Sequence, residues 1–262
     1  MKKIIIPIII IVIIISVFYL YSQPEIRWEV GKTLQVKEGT SPQVNDSSIK
    51  IETVATGINE LTTFAFIGDD ILYLEKINGD IRLIRDGQVN EKILHHFDVY
   101  KTTESGLLGI TTKDNSVYIY VSEPLDEEGK IPKANNIYEF LWTGEELINK
   151  KLVNTLPSRS CCHQGGYMVT SPDGEIFATI GDLENVRTGG KASQLQNNKN
   201  GDIDDTSIIL KVGIDESNLS PMNSEDPFSH YYAIGIRNSF GLAFDPLTGN
   251  LWDTENGQIC CD

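Results

Sequence analysis

The residues best suited to chemistry lie in one segment, Ser160–Asp182, with the sequence SCCHQGGYMVTSPDGEIFATIGD. Two apolar runs joined by a Pro-Asp-Gly turn separate His163 from Asp182 and predict a hairpin. Because a hairpin folds back on itself, we expect the His163 imidazole to meet the Asp182 carboxylate. A carboxylate on one ring nitrogen leaves the other as a proton acceptor, so the pair is a candidate general base. An ordinary surface or core histidine is the alternative.

Two further segments carry groups that suit a ligand or a metal. Arg237–Asn238 lies between two apolar runs, so we expect Arg237 to be partly buried and to need an anionic partner, either an internal carboxylate or a ligand. Glu255–Gly257 ends a hairpin at the place that Gly181–Asp182 occupies in another. Oxygen-rich strand ends suit Ca²⁺, although ordinary turn chemistry explains the same residues.

The run of aspartates at 202, 204 and 205 resembles a calcium loop only superficially. It lacks the glutamate at the twelfth position and the flanking helices of an EF-hand, so we expect a solvated loop. Glu104, which precedes the apolar run LLGI, has no meaning by itself.

A weak internal repeat organises the body of the chain and must position these residues. Each unit is an apolar strand, a turn rich in Asp, Gly or Asn, and a second apolar strand; the four units are Thr63–Ile84, Leu108–Glu123, Tyr167–Asp182 and Gly241–Gly257. Units this small cannot bury their own apolar faces, so they stack into an array. We therefore predict an all-β fold of the β-propeller type, with a β-sandwich as the alternative.

The N-terminus predicts export. Lys2 and Lys3 precede an almost uninterrupted apolar run, Ile4–Tyr21, which is long enough for a membrane-spanning helix. We expect an uncleaved anchor at residues 1–21, a polar linker at residues 22–50 and an outward-facing domain at residues 51–262. A cleaved signal peptide, which would leave the domain secreted, is the alternative.

Composition excludes one class of partner and indicates the redox compartment. The chain of 262 residues has a net charge of −15 and no basic cluster, so nucleic-acid binding is not expected. The cysteines form two adjacent pairs, Cys161–Cys162 and Cys260–Cys261. Disulfides, either between the pairs or within them, fit an exported protein better than zinc, because CC lacks the usual spacer. We expect the two pairs to lie near each other and to be disulfide-linked.

Taken together and in order, these segments resemble the glucose/sorbosone dehydrogenase family from about Val54 to Asp262. The matching pieces are VATGINELTTFAF, RLIRDG, ESGLLGI, HQGGYMVTSPDGEIFATIGD and IRNSFGLAFDPLTGNLWDTENG, with the terminal Asp262. The family comprises soluble-type quinoprotein aldose dehydrogenases with a six-bladed propeller. The resemblance therefore implies a sugar dehydrogenase that uses pyrroloquinoline quinone (PQQ) and passes electrons to an acceptor that the sequence does not identify.

The resemblance also assigns roles to residues at the propeller mouth. His163 would take the proton of the sugar's anomeric hydroxyl while hydride moves to PQQ, and Asp182 would orient His163. Arg237 would stabilise negative charge on the quinone, and Glu104 and Asn238 would contact the cofactor with it.

Calcium binding and the length of the chain complete what the resemblance implies. Backbone carbonyls of Gly257 and Gln258 would bind the catalytic Ca²⁺, and Asp262 is a candidate for a second calcium site. The sequence departs from the family pattern at Cys162, Tyr167 and Gln258. The chain ends where the family continues into its last blades, so we expect an incomplete propeller of about four blades. The alternative function is a non-catalytic extracytoplasmic binding module or an inactive fragment.

Overall fold

The computed structural model describes residues 44, 46–159, 162–183, 204–213, 219–221 and 225–256. The chain divides into two units, Met1–Glu52 and Thr53–Asp262. The predicted anchor and most of the predicted linker lie outside the described residues. Within the described residues, no helix is long and apolar enough to cross a membrane.

Four antiparallel sheets make up the second unit as far as the structure describes it. Sheet 1 contains β1 (Leu61–Ile67), β2 (Asp70–Glu75), β3 (Asp80–Arg85), β4 (Gln88–Val89) and β5 (His95–His96). Sheet 2 contains β6 (Leu107–Lys113), β7 (Ser116–Pro124), β8 (Pro132–Trp142) and β9 (Leu147–Leu156). Sheet 3 contains β10 (Met168–Thr170), β11 (Ile176–Ile180), β12 (Ile208–Lys211) and β13 (Tyr231–Ile234), and sheet 4 contains β14 (Ser239–Phe244) and β15 (Leu251–Glu255).

Each sheet is a meander in chain order, with the short β5 also paired to β3 in sheet 1. The predicted all-β class is confirmed for the described residues, which contain no α-helix and include a short 3₁₀ turn at Pro227–His230. Each of the four predicted strand–turn–strand units coincides with the opening strands of one sheet. The local pattern of strands and turns therefore marks where every sheet begins.

The first strands of consecutive sheets lie side by side, β1 with β6, β6 with β10 and β10 with β14. Side-chain hydrogen bonds reinforce this contact: Thr112 Oγ1 donates to the Phe66 carbonyl over 2.9 Å, and the hydroxyls of Thr111 and Thr170 are 2.9 Å apart. Four sheets packed in succession about their first strands form a propeller-like array, whereas a sandwich would pack two sheets face to face.

The core lies in three layers, one between each pair of consecutive sheets. Side chains of a strand alternate between its two faces. On β7, Ile119 and Val121 therefore pack in the layer between sheets 1 and 2, while Tyr120 packs in the layer between sheets 2 and 3. On β11, Ile180 and Phe177 divide in the same way between the second and third layers. A strand buried on both faces must be apolar at nearly every position, which explains the continuous apolar runs in the sequence.

Both ends of the four-sheet array present exposed apolar side chains. In sheet 1, Phe64 and Phe66 are at least half exposed and stack edge to face, with ring centroids 5.7 Å apart. In sheet 4, Phe240 and Trp252 are also more than half exposed.

The aspartate run predicted as a solvated loop is buried at one of its positions. Asp205 is only 1% exposed and accepts hydrogen bonds from Ser220 Oγ, over 2.5 Å, and from the Tyr231 hydroxyl. The prediction was wrong for Asp205 because Tyr231, on β13, reaches it from a distant part of the sequence. Asp202 lies outside the described residues. Burial and the neighbouring Asp205 carboxylate raise the pKa of Tyr231, which therefore remains a donor.

His95 predicts an acid sensitivity of the first layer. Its ring lies against Phe97 and Phe140, at centroid distances of 4.7 and 4.9 Å, and its buried Nε2 has no hydrogen-bond partner among the residues that the structure describes. Burial, aided by the nearby Lys150 ammonium, lowers the pKa of His95 to about 4. The unfolded chain therefore binds the proton first, near pH 6.5, and stability falls as the pH drops from about 6.5 to about 4.

Urea unfolding of the wild type and of His95→Leu at pH 7.5 and pH 4.5 measures this effect. We expect the wild type to lose roughly 2 kcal/mol more than the variant on acidification, a value discounted for the partial exposure of His95. Both proteins share the same carboxylates, so protonation of those groups cancels in the comparison. If the two proteins lost the same unfolding free energy between pH 7.5 and pH 4.5, the prediction would be contradicted.

Candidate active site

His163 and Asp182 form a buried imidazole–carboxylate pair. His163 Nδ1 lies 2.6 Å from Asp182 Oδ1, and the two residues are 6% and 1% exposed. A proton on Nδ1 that is donated to the carboxylate fixes the tautomer with its lone pair on Nε2. Nε2 makes no hydrogen bond to any described residue, so the pair presents a proton acceptor.

An unusual backbone turn brings His163 back to the end of its hairpin. His163 has a φ of +57°, which lies in the left-handed region that residues other than Gly rarely adopt. The turn continues through Gly165 and Gly166, and the Gly166 N–H donates to the Thr179 carbonyl over 2.8 Å. A Cβ at Gly165 would lie 2.6 Å from that same carbonyl oxygen. Glycine is therefore required for the loop to lie flat against β11.

The backbone at Gly181–Asp182 joins this pair to the Arg237 segment. The Asp182 N–H donates to the Arg237 carbonyl over 2.9 Å. A Cβ at Gly181 would lie 2.4 Å from the His163 carbonyl oxygen and 2.5 Å from that of Arg237. Three chain segments therefore meet at a point where only glycine fits.

Glu104 ties the site together across three sheets. Its Oε2 accepts hydrogen bonds from the His163 backbone N–H, over 2.6 Å, and from Asn238 Nδ2, over 3.2 Å. Glu104, His163 and Asn238 each precede the first strand of their sheet, namely β6, β10 and β14. These strands are neighbours, so their N-terminal ends bring the three residues to one edge of the array.

Arg237 supplies a cationic group beside this cluster. It is partly buried, as predicted from the sequence, and its guanidinium donates to the Asn256 carbonyl over 2.8 Å. Its backbone N–H donates to Glu255 Oε1 over 2.5 Å. The guanidinium makes no ion pair with an acidic side chain among the described residues, so it is available to an anionic ligand.

The expected metal ligands Gly257, Gln258 and Asp262 lie outside the described residues. Within the described ranges, no group of three or more His, Cys, Asp or Glu side chains could hold a metal ion. Cys162, directly before His163, is in a disulfide. The three other cysteines lie outside the described residues, and proximity of the two pairs stays a prediction.

Mass spectrometry of the exported, unreduced protein tests the cysteine prediction. We expect no free thiol to react with an alkylating reagent, and peptides containing residues 161–162 to be linked to peptides containing residues 260–261. Four alkylated thiols would contradict disulfide formation. Linkage only within each pair would contradict proximity of the two pairs.

Two neighbours of the site were not recognised from the sequence. Lys76, directly after β2, donates from Nζ to the Thr103 carbonyl beside Glu104. Burial lowers the pKa of Lys76 and the Glu104 charge opposes that change. Gln164 is completely buried. The only feature of the sequence that could have indicated a role for Gln164 was its position next to His163. No sequence pattern marks Lys76.

Glu104 allows a test of the site that needs no ligand. Glu104→Ala leaves two nearly buried donors, the His163 N–H and the Asn238 amide, without their acceptor, so we expect a loss of about 1–3 kcal/mol in unfolding free energy. The His163 amide should also exchange its hydrogen faster. In Glu104→Gln the side-chain carbonyl can still accept both bonds, and we expect at most half of each effect. Chemical denaturation and hydrogen exchange measure both quantities, and equal effects of the two variants would show that the charge, not the two hydrogen bonds, matters.

Comparison with known proteins shows which family this chain belongs to. The chain is 29% identical over 178 residues to quinoprotein glucose dehydrogenase B of Acinetobacter calcoaceticus, covering 59% of this chain and 36% of that protein. It is 21% identical over 241 residues to an uncharacterized Synechocystis protein, covering 82% and 56% of the two chains. The chain therefore spans little more than half of one curated relative and about a third of the other.

Solved structures show the same fold. A Thermus thermophilus structure described as a putative oxidoreductase (glucose dehydrogenase) matches with 26% identity and a TM-score of 0.62, over 79% of this chain and 60% of that one. The PQQ-bound aldose sugar dehydrogenase of Streptomyces coelicolor matches with 24% identity and a TM-score of 0.57, over the same shares of the two chains. The glucose/sorbosone dehydrogenase family profile matches residues 58–262, well over half of the sequence. The chain belongs to the glucose/sorbosone dehydrogenase family.

Proposed function

We propose that this protein is a quinoprotein dehydrogenase that oxidises the anomeric hydroxyl of an aldose, with PQQ as its cofactor and His163 as its general base. The observation that carries the proposal is the buried 2.6 Å contact between His163 Nδ1 and Asp182 Oδ1, which leaves Nε2 as the proton acceptor. The family and the PQQ-bound Streptomyces relative support the cofactor.

The residues around His163 fit an anionic quinone. PQQ carries carboxylates and quinone oxygens, which are hydrogen-bond acceptors and concentrate negative charge. Arg237 offers a guanidinium without an ion pair among the described side chains, and Asn238 offers an amide at the same edge of the array. Glu104 orients Asn238 and holds the His163 backbone. These residues would hold the cofactor, and Arg237 would stabilise the charge that develops on its oxygens.

The protein residues handle the proton. When bound, PQQ supplies the acceptor for the hydride of the anomeric carbon. His163 Nε2 takes the proton of the anomeric hydroxyl, so that the carbon–oxygen bond of the sugar becomes a carbonyl and the product is a lactone. Asp182 stabilises the imidazolium that forms and keeps the ring oriented. Gly165 and Gly166 let the loop after His163 pack closely against β11 and against Leu108, which holds the imidazole in place.

Calcium is part of the proposal. The carbonyls of Gly257 and Gln258 would bind the ion that holds PQQ, and Asp262 would serve a second calcium site. Ca²⁺ prefers such oxygen ligands, in sets of six to eight. The segment follows β15, whose last residue, Glu255, contacts the Arg237 backbone. Family membership supports this assignment.

The wider architecture is proposed on the same basis. We infer that the four sheets belong to a six-bladed propeller, of which the described residues supply one five-stranded sheet, two four-stranded sheets and a hairpin. The exposed apolar faces of sheets 1 and 4 support packing against further sheets. Residues 1–21 would anchor the domain on the outer side of a membrane, and a separate electron acceptor would reoxidise the cofactor.

Titration of the protein with PQQ, with and without Ca²⁺, tests this function. We expect saturable binding by absorbance that weakens when Ca²⁺ is chelated, and turnover of aldoses with an artificial electron acceptor. Binding without turnover of any aldose would contradict the assigned reaction. Absence of both would contradict the cofactor as well and would favour a non-catalytic binding module.

A further inference from the structure

Gln164, the residue after His163, is completely buried, and both polar atoms of its side chain are hydrogen-bonded. Its Oε1 accepts from Asn135 Nδ2 over 2.8 Å and from Ser158 Oγ over 3.1 Å. Its Nε2 donates to the Arg159 carbonyl over 2.8 Å. A buried amide whose oxygen and nitrogen are both hydrogen-bonded has one favourable placement, because a displacement leaves one of these atoms unpaired.

Asn135 connects this amide to sheet 2. Its Nδ2 also donates to the Pro157 carbonyl over 2.7 Å, and its Oδ1 accepts from Ser122 Oγ over 2.6 Å. The Tyr120 hydroxyl donates to the backbone carbonyl of Gln164 over 2.9 Å. Burial raises the pKa of Tyr120 well above its ordinary value, so this hydroxyl remains a donor.

Strand geometry explains why sheet 2 can reach the loop of sheet 3. Tyr120 and Ser122 are two residues apart on β7 and share a face, and Ser122 pairs directly with Asn135 on β8. Asn136, the next residue on β8, has its side chain on the opposite face and donates to Glu123. One face of sheet 2 therefore presents the Tyr120 hydroxyl and the Asn135 amide to Gln164, and Ser122 holds Asn135.

The hydrogen-bond network of Gln164 lies one residue from His163, whose backbone conformation is strained. His163 has a left-handed φ of +57°. A non-glycine residue keeps this conformation only when neighbouring groups hold the backbone before and after it. Glu104 holds the N–H of His163 on one side. Gln164, clamped through its side chain and its carbonyl, holds the other side.

We propose that Asn135 is a positioning residue for His163, acting through Gln164 to keep the imidazole in contact with Asp182. The kinetic consequences rest on the proposed function, whereas the geometric consequence does not. Removing Asn135 takes away one of the two hydrogen bonds to Gln164 Oε1, which loosens the left-handed turn and allows the ring to rotate away from the carboxylate.

Histidine NMR tests the geometry without any cofactor. The chain has four histidines, so ¹⁵N-histidine labelling gives few imidazole signals, and His163→Gln assigns the one of interest. The wild type is compared with Asn135→Ala and Gln164→Ala. Asn136→Ala is the matched control, because Asn136 is the same residue type on the same strand, is only 4% exposed and bonds away from the site.

We expect the Nδ1–H signal of His163 to be present in the wild type and in Asn136→Ala, and to be lost or broadened in Asn135→Ala and Gln164→Ala. In the holoenzyme, kcat should fall about tenfold or more in these two variants, with KM for the sugar changed less than kcat. The double variant should be no worse than the poorer single variant, since both act through one network. If Asn135→Ala does not fold, Ser122→Ala can replace it, because it removes one hydrogen bond to Asn135. We expect Ser122→Ala to have a smaller effect on the same NMR signal and on kcat.

Wild-type His163 signals in Asn135→Ala and Gln164→Ala would overturn the proposal. So would an equal loss in Asn136→Ala at a matched drop in Tm, because that would be general destabilisation. If no protein turns over an aldose but the NMR signals separate Asn135 from Asn136, the positioning role holds and the proposed function fails.

Discussion

Replacing His163 with alanine is expected to lower kcat for aldose oxidation by about 10²–10⁴-fold, the range typical for loss of a general base. The variant removes the only group that the structure places to accept the hydroxyl proton beside Asp182, among the described residues. PQQ binding, which we assign to Arg237, Asn238 and Glu104, should change less than tenfold, on the order of one hydrogen bond or less. Steady-state kinetics and a PQQ titration separate the two effects.

His96 provides the control for this experiment. Its Nδ1 lies 2.8 Å from Asp80 Oδ1, so it forms a second histidine–carboxylate pair, but on sheet 1 and with an exposed ring. His96→Ala should leave kcat within about twofold of the wild type, since surface changes have small effects. If both variants reduced kcat equally, or if His163→Ala kept wild-type turnover, the role of His163 would be disproved.

Replacing Gly109 with alanine is expected to destabilise the domain by about 3 kcal/mol or more. Gly109 is on β6, and a Cβ there would lie 1.8 Å from the Gly166 carbonyl oxygen on the loop before β10. The obstacle is backbone, so no side-chain rotation relieves it, and sheets 2 and 3 must move apart. Thermal unfolding should show a fall in Tm of roughly 6–12 °C for a domain of this size.

Gly68 is the matched control, since a Cβ there meets nothing within 4 Å. Its φ of +60° makes Gly68→Ala strained by about 1 kcal/mol. A loss at Gly109 no larger than the loss at Gly68 would show that the two sheets are not held in close contact. Because Gly166 belongs to the same loop as His163, Gly109→Ala should also reduce turnover at temperatures where the protein remains folded.

The all-β class and the starting strand of each sheet were predictable because their causes are local. Alternating or continuous apolar runs and Asp/Gly turns act within a few residues, and the four repeat units mark the four sheets. The meeting of His163 and Asp182 was predictable for the same reason, since one hairpin returns the chain to its start. The partial burial of Arg237 followed from the apolar runs on either side.

Contacts between residues that are distant in the chain could not be predicted from local pattern. Asp205 was expected to be solvated, yet the Tyr231 hydroxyl and Ser220 Oγ cover it from later in the chain. Glu104 carried no signal of its own and entered only through the family resemblance. Asn135 and Gln164 had no common motif, because their hydrogen bond exists only once two sheets pack together.

The sequence by itself determined which chemistry this protein carries: an imidazole and a carboxylate on one hairpin, followed by an arginine–asparagine pair before another. Periodicity and turn residues act over short distances, so they also determined the strands that hold those groups. Only the tertiary structure decided that Glu104, His163 and Asn238 converge, because that depends on β6, β10 and β14 lying side by side. The same packing placed Gln164 against sheet 2, since a buried amide takes its position from partners that are distant in the chain.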